Sequence, residues 1–331
     1  MRHVSVRAFA KLNLDLNVLN RGPSGFHELR SVFQTISLHD RIDIAYAPSK
    51  KTIINGASEI PNNLIERAAR ALLDHTRTTA RITFRLEKRI PMGSGMGGGS
   101  SDAAAVLLAL PVLAGMSIPL DELIHIAAGL GSDVPFFLLG GAAVAIGRGT
   151  ELYPLPEIPS KKLLIVAPGV HVSTPEAYRA FDRAGKGKLT ETQVSQYIDS
   201  FQSRVWGLGK SLSKGSAGSE AVNDFERVVF PQHRQLKSIL TTLQKSGADP
   251  ARMTGSGSAL FGVFTTQRQV LEARAAVERL CPQAAGSPAT YVSRARYKAY
   301  WWRQLQPHMD STDPNSWPPQ SQYASRRRKE R

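Results

Sequence analysis

Residues 91–105 read PMGSGMGGGSSDAAA; five of the fifteen are glycine, and three of those are consecutive. The segment before them, RITFRLEKRI (81–90), alternates apolar and polar residues as a strand does, and the segment after, AVLLAL (105–110), reads as helix. The order strand, glycine loop, helix puts bare backbone at a helix entrance. Consecutive glycines permit positive φ and let several N–H groups converge on one anion, to which the helix adds free amides and its dipole. Ser100 and Ser101 contribute hydroxyls at the first turn, suited to a phosphate or an oxygen-bound Mg²⁺, while Ser100 also fits an ordinary N-cap. A tight turn needs fewer glycines than this, so the loop is read as a phosphate cradle. Gly93–Gly98 also satisfies G-x-G-x-x-G, but Asp121, at the spacing of a Rossmann acidic residue, sits at a helix start. No lysine stands at the helix entrance as in a Walker loop, and neither H-R-D nor D-F-G follows as in a protein kinase.

Around that loop, 331 residues favour two domains. No apolar run reaches the length of a membrane span. The N-terminus, MRHVSVRAFAKLNL, alternates from its start and reads as a first strand rather than a signal peptide. Cys281 is the only cysteine, so a disulfide framework or a cysteine zinc site is excluded and a reducing cytoplasm fits. The net charge of +15 raises nucleic acid as a partner, yet residues 291–331 hold nine Lys/Arg against three Asp/Glu. Much of the excess therefore belongs to a tail ending SRRRKER, and the remainder suits a polyanionic small molecule. Nucleic acid and membrane are not expected partners; the state expected is monomer or homodimer.

In LNLDLNVLN (12–20), Leu12, Leu14, Leu16 and Val18 point one way, and Lys11, Asn13, Asp15 and Asn17 the other. SVFQTISL and RIDIAYA are two further strand candidates. NNLIERAARALLDH is an amphipathic helix with Asn63 and Glu66 placed as a capping box. Helices are expected over about 100–110, 120–128 and 267–280, and YVSRARY (291–297) as a closing strand. Residues 207–219, GLGKSLSKGSAGS, read as a flexible loop, and YPLPEIPS (153–160) as a domain boundary. The class is α+β, or α/β in two domains: 1–155 with the phosphate loop, 160–298, and a basic tail 299–331. For that tail, containing Trp301, Trp302 and Trp317, disorder is expected; surface docking or a partner contact are the alternatives.

The loop P-x-G-S-G-M-G-G-G-S-S-D-A-A-A resembles that of the GHMP kinases, which phosphorylate small-molecule hydroxyls. AKLNLDLNV, GFHELRSVFQTISLHD, IPMGSGMGGGSSDAAA, GSDVPFFLLGG, PGVHVSTPEAY and MTGSGSALFGVF stand in the order seen in one family of that group, the 4-diphosphocytidyl-2-C-methyl-D-erythritol kinases. The likeness spans about residues 4–297. It implies an N-terminal domain like ribosomal protein S5 domain 2, a ferredoxin-like C-terminal domain and a site between them. It implies ATP, Mg²⁺ and transfer of the γ-phosphoryl to the 2-hydroxyl of 4-diphosphocytidyl-2-C-methyl-D-erythritol, a step of non-mevalonate isoprenoid synthesis. By the same resemblance Asp133 takes the hydroxyl proton, Lys11 polarises that hydroxyl, and Asn13 contacts substrate. His27 recognises the cytosine edge between Phe26 and Tyr178, and Thr174 meets the methylerythritol end. Pro91, Met92, Gly93, Ser94, Gly95, Met96, Gly97, Gly98, Gly99, Ser100 and Ser101 form the ATP phosphate loop, with Ser100 the Mg²⁺ candidate. Gly255, Ser256 and Gly257 brace the phosphate region. The chemistry is sound on its own terms, since phosphoryl transfer rests on positioning and charge stabilisation, and a carboxylate helps an alcohol shed its proton. Each residue also has a structural reading: Asp133 as a helix cap, Lys11 as an exposed strand lysine, and His27, Phe26 and Tyr178 as packing groups. The family motif's aspartate is Ser24 here, and Phe26 lacks the tyrosine hydroxyl.

Overall fold

The computed structural model describes residues 1–22, 25–56, 60, 62–185, 189–211, 222–309 and 316–324, so Ser24 falls outside it. The alternating N-terminus forms β1 (Arg2–Arg21), paired antiparallel with β2 (His27–Pro48). SVFQTISL and RIDIAYA are parts of this one strand, which passes through Asp40 without a turn. Asp40 is fully buried, and its carboxylate accepts the amides of Arg89 and Ile90 at 2.5 and 2.8 Å. A residue type that favours turns serves here to anchor the chain entering the glycine loop.

With β3 (Ile53–Asn55), β4 (Ala80–Glu87), β5 (Ala142–Gly147) and β6 (Glu151–Pro154), these strands make a six-stranded sheet in the order β3-β4-β2-β5-β6, β1 pairing with β2. Helices α1 (Leu64–His75), α2 (Gly98–Ala114), α3 (Leu120–Leu130) and α4 (Val134–Leu139) share its core. In α1 the buried residues Ile65, Ala68, Ala69, Leu72 and Leu73 fall on one helical stripe, and Asn63 caps the helix by accepting the Ile65 amide. Helix α2 is buried on every side from Ser101 to Ala114, which is why it carries no polar stripe. It continues beyond Leu110 even though Pro111 removes one amide.

The second sheet comprises β7 (Lys162–Ala167), β8 (Ala251–Met253), β9 (Leu260–Phe264) and β10 (Ala285–Thr290), antiparallel in the order β10-β7-β9-β8. Helices α5 (Thr174–Arg183), α7 (Glu226–Val229), α8 (Arg234–Lys245) and α9 (Gln267–Leu280) pack on it, and α6 (Glu191–Ser211) lies against β1. Residues 207–211, expected in a flexible loop, are the end of α6; 212–219 lie outside the described residues.

Strand β1 joins the two halves. Val4, Val6 and Phe9 belong to the first core and Leu16 and Val18 to the second, while Leu12 and Leu14 meet Leu163 and Phe261 between them. On its other face Lys11, Asn13, Asp15 and Asn17 are all buried. Buried polar groups persist only with partners, and the first two of this row, Lys11 and Asn13, line a cavity.

Two expectations fail at the C-terminal end. YVSRARY is not a strand: β10 has already closed the sheet, and Ser293 caps α10 (Arg294–Leu305) by accepting the Arg296 amide at 3.2 Å. The tail is not disordered over 299–309 or 316–324. Trp301 and Leu305 are buried in the first core, and Trp317 packs against it. The basic end 325–331 lies outside the described residues.

Candidate active site

Two residues expected to act together are brought into contact from separate elements of the first domain. Lys11 comes from β1 and Asp133 from the position just before α4. Their Nζ and Oδ2 atoms are 3.3 Å apart, with side-chain exposures of 5% and 31%. Asp133 makes no side-chain cap bond to α4, so its carboxylate is left to face Lys11 and the first cavity. Lys11 is fixed by two further contacts: it donates to Asn13 Oδ1 at 2.7 Å and stands 4.6 Å from the Phe33 ring centroid. Asn13 in turn donates to Ser31 Oγ at 2.8 Å, and its own amide donates to Thr254 Oγ1 at 3.0 Å. Farther along the same face Asp15 pairs with Arg204 of α6, and Asn17 accepts from Arg204 at 3.1 Å. Burial raises the Asp15 carboxyl above its ordinary range despite that arginine.

Two cavities meet at the glycine loop. One, of about 160 Å³, is lined by Lys11, Asn13, Asp133, Thr174, Tyr178 and Ser256 among others. The second, of about 330 Å³, is lined by Pro91–Gly95, Gly97–Ser100, Asn63, Lys88 and Asp102. Gly95 and Gly97 line both. Both have positive φ, and neither has room for a side chain: a Cβ would stand 2.3 Å from Thr254 O at Gly95 and 2.9 Å from Phe137 Cζ at Gly97. Gly255 packs equally close, where a Cβ would meet Gly95 O at 2.9 Å. The loop 255–257 thus buttresses the phosphate loop, and Asn223 holds it by donating to the Met253 and Gly255 carbonyls, each at 2.8 Å.

The loop residues divide by placement. Ser100 faces the second cavity, whereas Ser101 donates to Phe9 O at 2.7 Å and is buried. Met96 is in the core. Ser101 and Met96 therefore contribute packing and backbone, not side-chain contacts to a ligand. Spacing alone cannot separate the two serines, because their roles depend on which side of α2 meets β1.

At the other end of the first cavity, Tyr178 stacks on His27 with centroids 5.4 Å apart. Burial, and secondarily Asp133, push the Tyr178 hydroxyl up to about 12. His27 does not line the cavity. Its Nδ1 faces Leu19 O at 2.7 Å and its Nε2 faces Asp182 Oδ1 at 2.8 Å, so both ring nitrogens are engaged and its edge is not presented to a base. Phe26 lies at the rim, 54% exposed, with the Arg148 guanidinium 3.9 Å from its ring centroid. Thr174 shares a hydroxyl–hydroxyl bond of 2.7 Å with Ser256. Gly257 is a backbone element of the buttress and lines neither cavity.

Sequence reasoning missed two cations. Arg148 lines the first cavity. Lys88 lines the second, held between Asp40 and Asp102, the latter at 2.8 Å. Its Nζ is 3.2 Å from where a Cβ on Gly98 would stand. The lysine absent from the loop itself thus arrives from the end of β4. Burial lifts the Asp102 carboxyl to about 7 against the pull of Lys88, with Asp40 adding to the rise. Asp102 Oδ1 has no hydrogen-bond partner among the described residues.

Two cavities meeting at a glycine loop on a helix entrance are a layout that suits a kinase for small molecules. The family model described as GHMP kinases N terminal domain matches residues 63–141, and GHMP kinases C terminal matches 204–283. The chain is 52% identical to a 4-diphosphocytidyl-2-C-methyl-D-erythritol kinase of Solibacter usitatus over 97% of this chain and 98% of that one. It is 36% identical to the protein of the same name from Pelobacter propionicus, over 83% and 94%. A crystal structure of 4-(cytidine 5'-diphospho)-2C-methyl-D-erythritol kinase superposes with a TM-score of 0.68 at 33% identity, covering 86% of this chain and 98% of that one. A homoserine kinase from Cytophaga hutchinsonii superposes at 0.69 with 18% identity, covering 88% and 95%, which shows the shared fold alone. The chain belongs to the 4-diphosphocytidyl-2-C-methyl-D-erythritol kinase family of GHMP kinases. No helix among the described residues is long and apolar enough to cross a membrane.

Proposed function

We propose that the chain transfers the γ-phosphoryl of ATP to the 2-hydroxyl of 4-diphosphocytidyl-2-C-methyl-D-erythritol, in isoprenoid synthesis by the non-mevalonate route. The observation that carries the reaction is the meeting of two cavities at Gly95 and Gly97, with the Lys11–Asp133 pair on the acceptor side only. ATP lies in the cavity of the glycine loop, its phosphates against the backbone amides at the start of α2. Lys88 supplies a cation there.

The acceptor hydroxyl lies at Asp133, which takes its proton as the oxygen bonds to the γ-phosphorus and the bond to the β–γ bridging oxygen breaks, leaving ADP. Lys11 offsets the charge that develops on the attacking oxygen. Asn13 and Phe33 hold that lysine in place, which is the positioning on which phosphoryl transfer depends. The aromatic end, Tyr178 and Phe225 with Phe26 at the rim, receives the cytosine ring. The His27 ring braces Tyr178 from behind. Arg148 is the cation that meets the substrate diphosphate, since Lys11 is committed to Asp133 and Asn13.

Mg²⁺ fits the nucleotide cavity. The Ser100 hydroxyl and the unpartnered Asp102 Oδ1 are oxygen donors beside it, and magnesium takes oxygen ligands from protein, phosphate and water. When bound it neutralises charge between the phosphates. A cytoplasmic location suits the single, buried cysteine.

The test is product analysis by ³¹P NMR after incubation with ATP, Mg²⁺ and the cytidyl substrate. A new phosphomonoester signal beside an intact diphosphate is expected. Phosphate release without that signal would remove the acceptor assignment.

A further inference from the structure

The C-terminal segment, expected to be disordered, grips the helix that carries the catalytic aspartate. Helix α4 is only six residues long, with Asp133 at its N-cap position. A helix leaves its last carbonyls without intrahelical partners, and in so short a helix these are a large share of the backbone groups. One keeps the bond from the helix's own C-cap, and two have donors from distant side chains. Phe136 O accepts from the Gly140 amide at 2.9 Å. Phe137 O accepts the Tyr297 hydroxyl, and Leu138 O accepts Trp317 Nε1 at 3.0 Å.

The two side chains come from α10 and from the segment 316–324, and their rings meet with centroids 6.4 Å apart. Tyr297 lies flush on the chain just after α4: a Cβ on Gly140 would be 2.4 Å from its ring. Ser321 fastens the segment to α2 by donating to Val112 O at 2.6 Å, and Ser117 donates to Gln320 at 2.8 Å. At its other end α4 meets the chemistry twice. Asp133 pairs with Lys11, and Phe137 occupies the space a Cβ on Gly97 would need, directly under the phosphate loop.

We infer that Tyr297 and Trp317 are positioning residues for phosphoryl transfer: by satisfying the C-terminal carbonyls of α4 they fix where Asp133 stands relative to Lys11 and the phosphate loop. The inference rests on Asp133 as the proton acceptor. Neither residue touches a cavity, so substrate affinity is not their target.

Tyr297→Phe deletes only the hydroxyl donor, and Trp317→Phe keeps an aromatic ring while removing the indole N–H together with part of the ring volume. The double variant is expected to lose about tenfold in kcat, a smaller loss than the roughly hundredfold that a misplacement of about 1 Å can cost, while KM for ATP and for the acceptor stays within about twofold. The decisive comparison repeats both substitutions in an Asp133→Asn background. There they are expected to leave the residual rate unchanged, because nothing is left to position. An equal loss in both backgrounds would assign the effect to the fold at large and overturn the inference, as would an unchanged kcat in the double variant. If the double variant does not fold, each single variant is read through the same cycle. Wild-type turnover with the cytidyl substrate tests the functional reading by itself, before any variant is compared.

Discussion

Replacing Asp133 by Asn separates chemistry from binding and from stability, because the role proposed for the carboxylate touches only the first of the three. A positioned general base contributes about 10²- to 10⁴-fold, or about 3–5 kcal/mol of barrier at 1.36 kcal/mol per decade. The amide cannot accept the proton, so kcat should fall by that factor. Stability should change little. Asp133 makes no cap bond to α4, and Lys11 keeps Asn13 at 2.7 Å and the Phe33 ring. The aspartate end of the ion pair is partly exposed, which limits what the pair contributes to stability. ATP affinity should also hold, since Asp133 does not line the nucleotide cavity. The assay is steady-state ADP release with both substrates varied, alongside a thermal melt. A kcat loss under about threefold would refute the proton-acceptor role. So would a rise in KM for ATP that accounts for the lost rate.

Three further outcomes are expected. Gly95→Ala combines a positive φ with a Cβ 2.3 Å from the Thr254 carbonyl; strain and overpacking of about 1–3 kcal/mol each should lower the melting temperature and weaken ATP binding measured by calorimetry. Arg148→Met should raise the acceptor KM by about ten- to a hundredfold, the scale of a lost hydrogen bond to a charged group, and leave KM for ATP alone. Asp182 is held below its ordinary value by the hydrogen bond from Arg21 and by His27. A depressed carboxyl contributes stability that is present above its unfolded pKa and lost as pH falls through the folded one. Melts taken from about pH 5 to about pH 3 should therefore drop more steeply for the wild type than for Asp182→Asn.

The glycine loop was legible because three successive glycines at a strand-to-helix junction have few other uses, and the structure places them between two cavities. The polar face of β1 was legible for a similar reason: Lys11, Asn13, Asp15 and Asn17 alternate with leucines, and the structure buries them all. What pattern could not give is which polar group meets which across the fold. Lys88 lies in an ordinary charged strand end, and only the approach of Asp40 and Asp102 brings it to the loop. Arg148 stands in a turn whose closeness to Phe26 depends on β5 pairing with β2. His27 matches a motif that predicts recognition of the cytosine edge, yet Leu19 O and Asp182 of a distant helix engage its two ring nitrogens. The C-terminal segment has the polar, proline-rich composition of disorder, but Trp317, beside Tyr297 of α10, finds a helix end to cover. Composition registers how few apolar residues are present and is blind to where they land.

The central claim is that phosphoryl transfer is directed to a cytidyl diphosphate acceptor. The most direct measurement is ADP release with ATP and Mg²⁺, run in parallel with 4-diphosphocytidyl-2-C-methyl-D-erythritol, homoserine, mevalonate and galactose. Turnover with the cytidyl compound alone is the expected result. Turnover with one of the others in its place would leave the fold and the phosphate loop standing and contradict the acceptor cavity described here.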